Sequence, residues 1–101
     1  MNVRVVDREM PASNALVMHI ERKVRGAVKR FDARLSDVEV RVRDENGPRG
    51  GVDKICVIHA SLLHGGRVVV SERGPDFFLA ANQASHKLKR AVAKRVGGSR
   101  R

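Results

Sequence analysis

Residues Val38-Glu39-Val40-Arg41-Val42-Arg43 alternate apolar and charged side chains without a fault, and this run limits what the chain can become. Successive side chains on a strand point to opposite faces. The run is therefore a strand with three valines on one buried side and Glu39, Arg41 and Arg43 on the other. A strand with one apolar face needs an apolar layer to cover it, and segments of helical period supply that layer. Leu16, Ile20, Val24, Ala27, Val28 and Phe31 recur at helical spacing, with Ser13 or Asn14 able to accept from the first unpaired amides. A first helix is expected to run to between Asp32 and Leu35. Phe78, Ala81, Ser85, Leu88 and Val92 share one face of a second helix, with Asp76 as its N-cap. Lys94 and Arg95 suit the negative end of its dipole, and Gly97-Gly98 is expected to stop it.

Asn2 to Val6 reads as a short first strand, broken by Met10-Pro11-Ala12-Ser13-Asn14. Asp44 to Gly51 holds three glycines and a proline, the composition of a mobile loop. A third strand begins at about Asp53, and its run Ile55 to Leu62 is apolar on both faces, as a central strand is. Gly65-Gly66 turns the chain into a hairpin partner at Arg67 to Glu72. The order β-α-β-β-β-α predicts an α+β two-layer sandwich. It has a four-stranded sheet, a right-handed parallel crossover first, antiparallel neighbours after it, and both helices on one face. The 101 residues suffice for one domain, placed at residues 1–96, with residues 97–101 as a basic flexible tail.

A chain this short has one modest core and no deep cavity for a small-molecule substrate. Cys56 is the only cysteine, so no intramolecular disulfide and no multi-cysteine zinc site can form. On a central strand it reads as a small buried hydrophobe rather than a nucleophile. His19, His59, His64 and His86 show no ligand spacing, and no catalytic triad or nucleotide-binding glycine loop is present. Neither an enzyme nor a cofactor is expected. Gly47-Pro48-Arg49-Gly50 fits the GxxG string of KH domains but joins two strands rather than two helices, and Pro48 lacks an amide donor. The charged N-terminus excludes a signal peptide and no apolar run reaches membrane-spanning length, so a cytoplasmic setting is expected.

Charge carries the functional signal. Twenty-one Lys and Arg face 11 Asp and Glu, a formal charge of +10. On a helical wheel Arg22, Arg25 and Lys29 project opposite the buried stripe of the first helix, with Lys23 and Arg30 on a flank. Lys87, Arg90 and Lys94 follow one stripe of the second helix, which has no acid after Asp76 to form i,i+4 pairs. A lone charged helix is usually just a solvated one, but two neighbouring helices with uncompensated cations point to a polyanion. Tyr and Trp are absent and only three Phe occur, so nucleic-acid binding is expected to be electrostatic and shape-based rather than built on stacking.

Ile20-Glu21-Arg22-Lys23-Val24 with Lys29-Arg30-Phe31, then Val38-Glu39-Val40, then Pro75-Asp76-Phe77-Phe78-Leu79-Ala80-Ala81-Asn82 with Lys87-Leu88, in this element order, resemble the ribosome hibernation-promoting factors. This bacterial family is also described as ribosomal subunit interface or sigma-54 modulation proteins. The resemblance covers nearly the whole chain and matches the short form, without the extra C-terminal dimerisation domain of long members. It implies a fold similar to double-stranded RNA-binding domains, docked on ribosomal RNA of the small ribosomal subunit where messenger RNA and transfer RNA would sit. The family's basic positions carry over onto Lys23, Lys29, Lys87, Arg90 and Lys94. The chain departs from the family in having Gly26 for a Lys, Phe78 for a Tyr and Asn82 for an acidic residue. Two alternatives stand beside this reading. One is a general structured-RNA-binding module. The other is a protein-interaction domain using apolar surface at Ile55 and Val57 on the open sheet face.

Overall fold

The computed structural model describes residues 1–7, 12–45 and 54–97. Within them β1 (Asn2–Asp7), α1 (Asn14–Val28), β2 (Leu35–Asp44), β3 (Lys54–Leu62), β4 (Arg67–Gly74) and α2 (Phe77–Gly97) follow in the expected order. The sheet order is β1-β2-β3-β4. β1 lies parallel to β2, and the two later pairs are antiparallel.

The valine alternation sets the register. Val38, Val40 and Val42 are buried at 0%, 0% and 3% exposure. Across the ladder Val3, Val38, Ala60 and Val68 form one apolar row, and Val5, Val40, Ile58 and Val70 a second. Leu16, Ile20, Val24 and Val28 of α1 join the same core, as do Ala80, Ala81, Ala84, Leu88 and Val92 of α2. Both helices therefore cover one face. Ser13 caps α1 by accepting from the Leu16 amide at 3.2 Å. Asp76 caps α2 by accepting from the Leu79 amide at 2.8 Å. Gly65 and Gly66 take φ values of +102° and +82° in the β3–β4 turn, a region closed to most other residues.

Four expectations are corrected. The first helix does not continue to Asp32: α1 ends at Val28 and a 3-10 helix, Lys29–Arg34, carries the chain into β2. The tighter winding lets Phe31 pack only partly against the core and rotates everything beyond Val28 off the 100° wheel. Phe78 is not core: at the start of α2 it stands 40% exposed, its ring against His19 of α1. Ile55 offers no open apolar surface, being 2% exposed. Its cross-strand neighbours on that face are Arg43 and Arg73, whose kind of long aliphatic stem covers apolar neighbours. Val57 is half-buried. Gly97 belongs to α2 rather than stopping it. The expectations for the Gly47–Gly51 loop, its GxxG string and the tail beyond Gly97 lie outside the described residues. No helix among the described residues is long and apolar enough to cross a membrane.

Candidate nucleic-acid interface

Charge is divided between the two layers. On the open sheet face acids and bases are paired: Glu39 binds Arg41 at 2.6 Å and lies 3.5 Å from Arg4. At the far end of the sheet, Lys54 meets Asp44 at 3.0 Å and Arg73 meets Glu45 at 3.1 Å. The Arg41 hydrogen bond holds the Glu39 carboxyl below its ordinary pKa, against the opposing effect of its partial desolvation. The helix layer has no such balance. α2 carries Lys87, Lys89, Arg90, Lys94 and Arg95 with no acid along its length, and α1 sets Arg22, Lys23 and Arg25 against Glu21 alone.

The eight basic positions expected from the sequence are all exposed, but they fall into four groups rather than one stripe. Arg25 and Lys29 lie toward β1, around a hollow shared with Met1 and Asp32, and Arg25 donates to the Met1 carbonyl at 3.5 Å. Arg30 belongs to the 3-10 helix, its guanidinium 5.5 Å from the centre of the Phe31 ring. Lys87, Arg90 and Lys94 lie on the flank of α2 away from α1. Lys87 there reaches Glu72 and the Ser71 carbonyl of β4, each at 3.4 Å.

Arg22 and Lys23 alone of the eight enter the cleft between the helices, a space of about 390 Å³. Gly26 and Ala27 complete its α1 wall, while Asn82, Ser85, His86 and Lys89 form the α2 wall. Lys89 and His86 were missed by the sequence reading. The i, i+3, i+7 stripe drew attention to the outer flank, although the 89, 86, 82 positions lie one helical flank round toward α1. At the end of the cleft the His19 Nε2–H donates to Asn82 Oδ1 at 2.7 Å, and the His19 ring meets Phe78 edge-on with centroids 5.0 Å apart.

Other chemistry is thin. Cys56 is fully buried, and burial pushes its thiol up to about 12. Among the described residues no group of three or more His, Cys, Asp or Glu could hold a metal ion.

The architecture has solved counterparts. A ribosomal subunit interface protein from Coxiella burnetii superposes with a TM-score of 0.82 at 16% identity, over 96% of this chain and 99% of that one. The Thermus thermophilus Protein Y N-terminal domain gives 0.75 at 21% identity, over 94% and 99%. At these identities the likeness is one of fold. No curated protein matches the chain. The sequence itself matches the family described as Sigma 54 modulation protein / S30EA ribosomal protein over residues 3–97. With that span nearly the full length of the chain, and with the element order and sheet topology in agreement, the protein belongs to this family.

Proposed function

We propose that the protein is a non-enzymatic, cytoplasmic ribosome-binding factor of the hibernation type. It lays its helix layer on small-subunit ribosomal RNA and keeps messenger RNA and transfer RNA from their sites, so that translation is held off. One observation carries the reading: the sheet face sets acids against its bases, while α2 presents five cations and no acid of its own beside a basic α1. A surface of that kind repels itself, and a polyanion relieves the repulsion. Family membership and the subunit-interface description of a structural neighbour favour the ribosome as the source of that polyanion. Arg22, Lys23, Arg25, Lys29, Arg30, Lys87, Arg90 and Lys94 are the proposed phosphate contacts.

The test is displacement. Small subunits loaded with labelled messenger RNA and anticodon-matched transfer RNA are titrated with protein, with an unrelated RNA duplex as competitor. Both ligands are expected to leave as the protein saturates. If both remain bound at saturation, the hibernation reading fails and a general structured-RNA binder becomes the better account.

A further inference from the structure

The cleft between α1 and α2 differs from the rest of the basic surface in three respects. First, it is open at Gly26, an exposed position in its α1 wall where a Cβ would meet nothing within 4 Å. Second, its α2 wall includes Ser85, which is only 4% exposed and whose hydroxyl has no hydrogen-bond partner among the described residues. Buried hydroxyls in folded proteins are nearly always paired, and this one, enclosed behind the cleft wall, is an exception. Third, the Asn82 end of the cleft is joined through His19 to the Phe78 ring. Asn82 accepts from His19, which fixes the amide and leaves its N–H donors without a partner among the described residues. One helical turn before Asn82, Phe78 stands 40% exposed, its ring in a T-shaped contact with His19.

Cations, the amide donors of Asn82 and an exposed ring match the parts of one unpaired nucleotide: an anionic phosphate, polar edges and a base with an apolar face. A duplex keeps its bases stacked inside and cannot offer one to a side chain. We infer that the α1–α2 cleft is a binding site for a single unpaired RNA nucleotide. Its phosphate is held by Arg22, Lys23 and Lys89, and its base lies against Phe78 and His19. The inference deepens the RNA-binding reading and rests on it. The open space at Gly26, where the resemblance would place a Lys, is what admits the phosphate.

Gly26→Leu fills the cleft without changing charge, and a residue better suited to a helix than glycine keeps the fold intact. Binding of the isolated protein to a short oligouridylate, to an RNA duplex and to inorganic pyrophosphate is measured by titration calorimetry for the parent, Gly26→Leu and Phe78→Ala. The parent is expected to prefer the oligouridylate to the duplex. Gly26→Leu should lose about tenfold in affinity for oligouridylate, and Phe78→Ala about tenfold for oligouridylate with none lost for pyrophosphate, the size of one base–aromatic contact. An oligouridylate affinity unchanged in Gly26→Leu, with its unfolding midpoint also retained, overturns the site, because a surface working by charge alone is blind to this substitution. Co-sedimentation of the parent with small subunits separates the two readings. Sedimentation together with an unaffected Gly26→Leu variant removes the nucleotide site and leaves ribosome binding standing.

Discussion

Arg90 and Lys94 give the sharpest measure of whether the helix layer contacts phosphate. Both are exposed on the outer flank of α2, and no acid on the helix shares their charge. Each phosphate neutralised adds about −0.7 to −0.9 to the slope of log affinity against log salt, so losing two contacts flattens the slope by about 1.4–1.8. Over a fourfold change in salt, from about 50 to about 200 mM, the ratio of parent to variant affinity should then shrink about 7- to 12-fold. The perturbation is the double change Arg90→Glu with Lys94→Glu, assayed as ribosome or RNA binding across a salt series. Reversing a cation in the last turns of a helix costs about 0.3–1 kcal/mol through the dipole, so an unfolding curve for the variant verifies that the fold is intact. Lys87→Glu is the internal contrast. Lys87 already shares its charge with Glu72 at 3.4 Å, so its reversal should flatten the slope less than Arg90→Glu alone. A variant whose binding weakens while its salt slope stays parallel to the parent's would refute the assignment of these cations to phosphates.

Leu88, fully buried in α2, should cost roughly 2–5 kcal/mol on Leu88→Ala, and an unchanged urea midpoint would remove it from the core. The Cys56 thiol, raised by burial from 9.0 to about 12, ties stability to alkaline pH. Its folded value lies above the unfolded one, so its contribution is complete below about pH 9 and is lost as pH rises toward 12. The parent should therefore lose stability in that window relative to Cys56→Ala, and parallel pH curves would count against it. Gly26→Ala should raise stability by up to about 1 kcal/mol, since the added methyl meets no neighbour; a lower melting temperature would show that the glycine serves the helix geometry itself.

The sheet was legible because period two leaves no choice of face: Val38, Val40 and Val42 lie where alternation puts them, and β3 is central because both its faces are apolar. Both caps were legible because short oxygen-bearing side chains stood just before helical spacing began. The 3-10 helix was not, since Phe31 keeps the spacing of the first helix while the chain must turn to reach Leu35. Phe78 was misplaced for a related reason. A wheel groups residues by angle but does not say how far along the axis the covering layer extends, and at the first turn of α2 the ring has His19 of α1 against it. The site was legible as charge but not as shape. Lys87, Arg90 and Lys94 are equally good cations in sequence, yet only the position of α1 makes Lys89 the one that faces a cleft.

That position follows from small residues. α2 buries Ala80, Ala81, Ala84 and Ser85 before it reaches Leu88 and Val92, and short side chains allow close approach of one backbone to another. Close approach places basic flanks side by side, an arrangement that raises the energy of the compact state. Burial offsets it: Ile20, Val24, Val28 and Leu88 are each 0% exposed, and a fully buried side chain of this size contributes about 1.5–3 kcal/mol. Exposed like charges at i,i+4 spacing cost only a few tenths of a kcal/mol per pair. The apolar layer can therefore hold together a cationic surface that contributes nothing to folding. Where the small residues continue on both helices, at Gly26 and Ser85, packing stops short and contact gives way to the cleft. The stripe that draws the helices together thus also leaves a recess between them, and it lies among the cations that this packing has gathered.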